Sequence, residues 1–543
     1  MAFPLSPSVT VTEQDLTNII PAVATSRAAI VGEFNWGPVE DRVFVANETE
    51  LTNIFGATSD ANYIDHMVAS SFLAYASDLQ VVRVVGVGAL NASATESAGG
   101  VGLLVKNKDH YDTLSFTAST NLWLAKCPGT LGNAIGVAWA DASGFGAVDS
   151  NGDNLWPWKG LFSTAPESNE FHVVVYDATG GITGTAGTAL EKFEFVSTST
   201  AAKKFDGSTA YFKEVINNGS AWLWVGKTSL LSGTNNGVTL AGGSLGSAAT
   251  SGDKITGWDI FADADTTDVS LLIQGNPSVV VGQNLIQELA EVRKDCVAFV
   301  SPLLTDVVNV SKDQALDNML ATRTSYGSSS YAAMDSAWKL MYDRYNDVNR
   351  WVPLNGDFAG ICARTDNEYD PWFPPGGFNR GRLKNTIKLV PDQSSKNIRD
   401  VLYQNGINPC LVFPSDGPII LGDKTLQTKP SAFDRINVRR LFIVLEKAIA
   451  TASKYTLFEF NDDVTRSRFV NQVEPFLRDV QGRQGIYAFE VVCNDKNNTA
   501  EVIDRNEFVA DIYIKPARSI NFIRLNFIAV RTGVAFEEIV QSA

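Results

Sequence analysis

Histidine is scarce. The 543-residue chain has three, His66, His110 and His172, and none after position 172. Nucleophilic catalysis by Ser or Cys usually needs an adjacent base to take the proton. A Ser–His–Asp group therefore cannot be built from residues 257–430 alone. His66 follows Asp65 in a helical pattern and reads as a surface or internally satisfied side chain. Cysteine is sparse too: Cys127, Cys296, Cys362, Cys410 and Cys493 are irregularly spaced, with no CxxC. That excludes a disulfide framework and points to folding in a reducing cytoplasm. There is no HExxH and no paired Cys/His spacing for zinc. The adjacent acids Asp462-Asp463 and Glu537-Glu538 read as a turn and a solvated helix start.

Basic charge is also in deficit. The formal net charge is −16. An acidic chain without a basic cluster is a poor binder of nucleic-acid backbones. The deficit lies upstream, because residues 431–543 carry 15 basic and 15 acidic side chains. No apolar run approaches the ~18 residues of a membrane span. The start, "MAFPLSPSVTVTEQD", has no basic region followed by an apolar core, so no secretory leader is expected.

What is present is globular: 45% of residues are hydrophobic and 19% charged, enough for several cores. Residues 1–22 read as a strand arm, with Val9 and Val11 alternating with Ser8, Thr10 and Thr12 between Pro7 and Pro21. Residues 23–90 read as an α/β part: the strands "RAAIVGEF" and "LQVVRVVGVG" flank the helical "YIDHMVASSFLAYAS". Residues 91–255 are rich in Gly, Ser, Thr and Ala. Short runs such as "NAIGVAWA", "FHVVVYDA" and "KFEFVST" predict a β-rich sandwich or barrel. Within it, 230–254 reads as a flexible connection.

Residues 256–430 return to α/β alternation. "VSLLIQG" and "KDCVAFVSP" are strands of the doubly covered parallel kind, and "DFAGICARTD" reads as another strand. Residues 431–510 predict an α+β domain. It opens at Ser431 and continues through a long helix with Leu441, Val444, Leu445, Ala448 and Ile449 on one face. "YTLFEF", "GIYAFEVVCN" and "EFVADIYIKP" read as its strands, and "TRSRFVNQVEPFLRDVQG" as a second helix. Residues 511–543 read as a second strand arm. Ile523, Leu525 and Phe527 lie on one face of the run Ser519–Arg531, and Ile520, Phe522 and Ile528 on the other.

Two nucleotide motifs fail on spacing. "NGSAWLWVGKT" ends in Gly226-Lys227-Thr228, but Gly219 leaves six residues before Gly226, where a phosphate loop needs four. "VVGVGALN" offers Gly86 and Gly88 with Asn91 where a third glycine belongs. No catalytic, cofactor or metal site is expected, and a structural or binding role follows.

Several stretches together resemble the tail-sheath proteins of contractile-tailed bacteriophages. "VGEFNWGPV" (31–39), "KDCVAFVSP" (294–302), "DFAGICARTDNEYDPWFPPGGFNRG" (357–381) and "INVRRLFIVLEKAIATASKYTLFEFND" (436–462) are similar to family blocks in the family's order. The closing "KPARSINFIRLNFIAVRTGVAFEEI" is similar to the family's end. The resemblance covers 1–90 and 257–543, with 91–255 matched by position alone.

The resemblance implies a subtilisin-like but non-catalytic α/β core, and no cofactor. It implies that the chain partners itself, in hexameric rings stacked around a tail tube protein. Baseplate and tail terminator proteins would lie at the ends, with neither nucleic acid nor membrane insertion involved. The sleeve would assemble in the host cytoplasm, reside in the virion and contract without nucleotide to drive genome delivery. The two arms would add strands to neighbouring subunits, through Val9, Val11, Ile520, Phe522, Ile523, Leu525, Phe527 and Ile528. Arg435, Arg439 and Arg440 are candidates for inter-subunit or tube-facing ion pairs, or for an ordinary solvated helix face. A tailocin or other contractile injection machine is the alternative within the class. A hydrolase on the α/β unit, or a glycan binder using Trp156, Trp158, Trp222 and Trp224 of 91–255, are alternatives outside it.

Overall fold

The first strands are apolar on both faces, and the fold covers both faces. In the computed structural model, which describes residues 24–114, 116, 122–226, 233–393 and 395–521, every residue of β1 (Ala28–Gly32) is buried. β2 (Arg42–Val45) and β3 (Leu79–Arg83) follow. After a long excursion come β4 (Leu271–Ile273), β5 (Val297–Val300), β6 (Ala332–Asp335) and β7 (Ile407–Asn408). They form one seven-stranded sheet in the order β7-β6-β5-β4-β1-β3-β2. All neighbours are parallel except β2, which runs antiparallel to β3 at the edge.

Alternate residues of β1 feed two cores. Ala28 and Ile30 join Phe72, Phe299 and Phe358 on one face. Ala29 and Val31 join Trp258, Leu285 and Trp338 on the other. A parallel sheet needs cover on both faces, which is why its strands read as continuous apolar runs. The first face is covered by α1 (Tyr63–Leu73) and, packed on it, by the later helix Asn355–Glu368. The second face is covered in part by α2 (Ser251–Asp259), whose Trp258 is 1% exposed.

Between β3 and β4 the chain leaves the sheet. The excursion builds a four-stranded antiparallel sheet, in the order Asn235–Thr239, Ile135–Ala140, Glu170–Asp177 and Thr188–Ser197. A three-stranded sheet joins Leu223–Val225, Trp123–Ala125 and Ser93–Ala94. Trp123, Trp139 and Phe212 are buried in its core.

Three expectations are corrected. "DFAGICARTD" is not a strand but the middle of α3 (Asn355–Glu368). Its small residues let it lie close against α1: a Cβ at Gly356 would come 2.4 Å from Val68 O, and one at Gly360 would come 2.6 Å from Tyr75 Cδ2. A helix buried on all sides has no polar face to announce its period. Residues 233–254, read within a flexible connection, contain the paired strand Asn235–Thr239, buried Val238 and Leu240, and the start of α2. "YTLFEF" is a short 3-10 turn, Lys454–Thr456, followed by bends. Tyr455, Leu457, Phe458 and Phe460 are exposed there.

The chain divides at Phe460/Asn461 into two units. That boundary falls inside the stretch 431–510. The long helix α4 (Ile436–Ser453) belongs to the first unit, and Ser431 caps the short turn Ala432–Asp434 ahead of it. The second unit contains α5 (Asp463–Gly482) and two antiparallel strands, β8 (Ile486–Val492) and β9 (Asp511–Pro516). Phe469, Val473, Leu477 and Val480 of α5 are buried. The connection between the strands is clamped by Asn498, which donates to Val509 O at 2.8 Å and accepts from Val509 N at 2.9 Å.

Candidate functional site

Open α/β sheets place their ligands at the carboxyl ends of the parallel strands. Ser301 follows β5 and Asp335 ends β6. The Ser301 hydroxyl donates to Asp335 Oδ2, and accepts from Asn355 N at 3.1 Å. Burial pushes the Asp335 carboxyl up to about 8, with the Ser301 hydrogen bond pulling the other way. Lys339 and Asp357 form a second buried pair at 2.9 Å, with side chains 1% and 0% exposed. Tyr75 donates to Asp357 at 3.0 Å and accepts from Lys384 N at 2.6 Å. The Asp357 carboxyl is raised by burial and lowered by the Lys339 ammonium. These groups bond mainly to one another, with Asp357 Oδ2 left without a hydrogen bond beside the Lys339 ammonium. The Ser–Asp pair is sealed in the core, so it holds the ends of β5, β6 and α3 in register.

The three histidines are absorbed into packing. His66 is 2% exposed, and burial lowers its pKa to about 4. Its ring lies 6.0 Å from that of Tyr345, beside a cavity of about 430 Å³ also lined by Glu48, Thr58 and Asp343. His110 Nδ1 accepts from Lys106 N at 3.2 Å. The His172 ring stacks on Phe162 at 4.3 Å, with Nε2 2.8 Å from Thr164 O. Among the described residues no cluster of three or more His, Cys, Asp and Glu side chains could hold a metal.

The three arginines expected at an interface or on a solvated face have partners inside the chain. Arg435 donates to Asp423 at 2.8 Å and to Tyr403. The Arg439 guanidinium lies over the rings of Phe433 and Tyr331, at 3.9 and 4.2 Å, and donates to Ser330 at 2.8 Å. Arg440 pairs with Asp366 and donates to Thr25 O at 3.3 Å. Arg439 is 6% and Arg440 3% exposed, so neither belongs to a solvated face. Nothing in the sequence of α4 names these partners, since each comes from another element.

The tryptophans proposed for glycan stacking are also turned inward. Trp156 is 1% and Trp224 4% exposed. The partly buried Trp158 and Trp222 pack on Tyr176 and Trp36, with ring centres 4.6 and 5.8 Å apart. At the failed phosphate loop, Gly226 N donates to Leu122 O at 3.0 Å, and Lys227 and Thr228 lie outside the described residues.

Of the arm residues, Val9, Val11, Phe522, Ile523, Leu525, Phe527 and Ile528 lie outside the described residues. Ile520 is described and 83% exposed. The chain leading to it is β9, which pairs only with β8 among the described residues. Each of these strands therefore has one backbone edge without a strand partner among the described residues. Exposure alternates along β9: Asp511, Tyr513 and Lys515 face out, and Ile512 and Ile514 are partly buried. Tyr487 on β8 and Tyr513 on β9 are 65% and 61% exposed. A sheet of two strands with open edges is a template for another strand.

Comparison with known proteins places the chain in a family. The family described as "Phage tail sheath protein central domain" matches residues 280–426, and "Phage tail sheath C-terminal domain" matches 428–529. The tail sheath protein of Vibrio phage KVP40 is 34% identical, over 99% of this chain and 99% of its own. That of Enterobacteria phage T4 is 32% identical, over 98% and 99%. Among solved structures, a sheath tail protein from Listeria innocua superposes with a TM-score of 0.56 at 13% identity, covering 92% of this chain and 94% of that one. One from Desulfitobacterium hafniense gives 0.53 at 11%, covering 94% and 100%. These two structures share the mixed α/β multidomain fold.

Proposed function

The chain belongs to the tail-sheath family of contractile-tailed phages, a structural component of the virion, and from that membership we propose how its subunits join. Hexameric rings stack as a helical sleeve around a tail tube, between a baseplate and a terminator. The sleeve contracts without nucleotide hydrolysis to drive the tube through the host envelope. Its energy comes from two packings of the same subunits, the contracted one lower and separated from the extended one by a high barrier. The α/β unit is subtilisin-like and non-catalytic. The C-terminal arm expected over 511–543 starts after Pro516, because 511–516 pair with β8, and the arms 1–22 and 517–543 hold neighbours together as they rotate and move outward.

One observation carries this reading: the β8/β9 sheet has two strands and open outer edges among the described residues. The sheet packs on α5, and added strands would satisfy the free N–H and C=O groups at its outer edges. We infer that strands from the arms of neighbouring subunits complete it. In support, the runs Ser8–Thr12 and Ser519–Arg531 have strand patterns, and the latter is apolar on both faces. The test is removal of residues 517–543, which begin just past β9. The expected product is a soluble, folded monomer that forms no tubes by negative-stain microscopy. Normal tubes from the truncated chain would refute the arm reading.

A further inference from the structure

The sheet order has a switch point. From β1 the chain moves to β3 on one side, and β4 to β7 extend from the other side. At such a point in a doubly wound sheet, the carboxyl ends of the strands frame the crevice that holds ligands, often anionic ones. Here the crevice lies just past β1 and β4, and three donors converge in it. Glu33 N donates to Asp65 Oδ2 at 3.0 Å, Asn276 N to Asp65 Oδ1 at 2.6 Å, and Lys254 Nζ to Asp65 Oδ2 at 2.9 Å.

The acceptor is a side chain of the protein itself. Asp65 stands in the first turn of α1 and is 3% exposed. Lys254 comes from α2 and is 5% exposed. The walls are cut to this carboxylate: a Cβ at Gly32 would lie 2.5 Å from Asp65 Cβ, and one at Gly275 2.5 Å from Asp65 Oδ1. Gly275 also has φ +75, which favours glycine. Asn355 donates to Gly275 O at 2.9 Å and holds that turn in place.

Backbone amides and an ammonium aimed at one carboxylate are the donor set of an anion site. Space filling alone does not require such a set, since apolar residues often replace a buried ion pair without loss. We propose that the switch-point crevice is an anion-binding site whose resident ligand is the chain's own Asp65, and that without this side chain it takes a small free carboxylate. The close walls limit the ligand class to a one-carbon or two-carbon carboxylate and exclude a nucleotide. Asp65 thereby closes the crevice to soluble ligands and ties β1, β4, α1 and α2 at one point.

Chemical rescue of the full-length chain tests this. Asp65→Ala empties the crevice, and its melting temperature is expected to fall by several degrees. Sodium formate is expected to restore at least half of that fall, while sodium chloride at equal ionic strength does not. The wild type and Asp65→Asn, whose crevices stay filled, gain nothing specific from formate. Asp65→Ala combined with Lys254→Met loses the response. The proposal is overturned if Asp65→Ala gains no more from formate than from chloride, or if the wild type gains as much. Should Asp65→Ala be recovered only from denaturant, its refolding yield gives the same reading. A higher soluble yield in formate supports the site, and equal yields overturn it.

Discussion

Two of the protein's sheets are of opposite kinds. The seven-stranded sheet of the first unit is covered on both faces, and its central strands are completely buried. The β8/β9 sheet of the second unit has two strands among the described residues, with exposure alternating along β9 and tyrosines in solvent. A sheet of the first kind is finished by its own chain and draws its stability from cores on both faces. On the proposal above, a sheet of the second kind is finished by strands from neighbouring subunits. If that proposal holds, variants in the two units should fail in different ways, in folding for the first and in assembly for the second.

The largest effect is expected from breaking a buried ion pair of the first unit, between α3 and the strand Trp338–Asp343, which lies outside the seven-stranded sheet. Lys339→Met strands the Asp357 carboxylate in the core and should cost about 3–5 kcal/mol in chemical denaturation. Lys339→Met with Asp357→Leu removes both charges and should recover much of that loss. Whatever fraction remains folded should still polymerise, because the pair is sealed inside the first unit. A Lys339→Met protein that is fully stable but cannot form tubes would erase the distinction between the two units.

A second effect of similar kind is tied to pH. Burial holds the His66 pKa at about 4, below its ordinary 6.5, while Asp343 opposes the shift. The folded state therefore keeps His66 neutral where the unfolded chain takes up a proton. The stability this contributes is present above about pH 6.5 and is lost as pH falls toward 4, about 3 kcal/mol in all. Asp335, raised to about 8, acts with the opposite sign: its contribution fades as pH rises from the carboxylate range toward 8. Comparing wild type with His66→Gln cancels the Asp335 part. Denaturation midpoints from pH 7 to 4 should fall less steeply in the variant, and parallel curves would show that His66 plays no part.

The closed sheet was legible in the sequence and much of the rest was not. "RAAIVGEF", "LQVVRVVGVG" and "KDCVAFVSP" became β1, β3 and β5 because a continuous apolar run has one good destination, a sheet covered on both faces. α3 was misread because Gly356, Ala359, Gly360 and Ala363 are buried all round, and a short apolar run fits either period. The polar anchors were invisible for a different reason. Asp65 and Lys254 are 189 residues apart, and Arg440 meets Asp366 across 74, so no local spacing could pair them. Lys339 did leave a trace, a lysine between Trp338 and Leu340 in a buried run, which marks a charge that must find a partner. Of the two readings left open for Arg439 and Arg440, burial removes the solvated face, since helical spacing identifies a face and not what covers it.

The smallest effect on folding sharpens the comparison most. Tyr487 and Tyr513 stand in solvent on β8 and β9, so Tyr487→Ser and Tyr513→Ser should each change the monomer's stability by no more than about 0.5 kcal/mol. Side chains on a sheet that gains strands acquire cross-strand neighbours, each pair contributing roughly 0.2–1 kcal/mol. In a polymer that gain recurs in every subunit, so the same substitutions should raise the critical concentration for tube formation measured by light scattering and sedimentation. Tyr342, exposed in the first unit on a strand outside the seven-stranded sheet, is the matched control, and Tyr342→Ser should leave both measurements unchanged. If all three variants polymerise like the wild type, the tyrosines of the open hairpin are ordinary surface residues, and the added strand must be held by backbone hydrogen bonds alone.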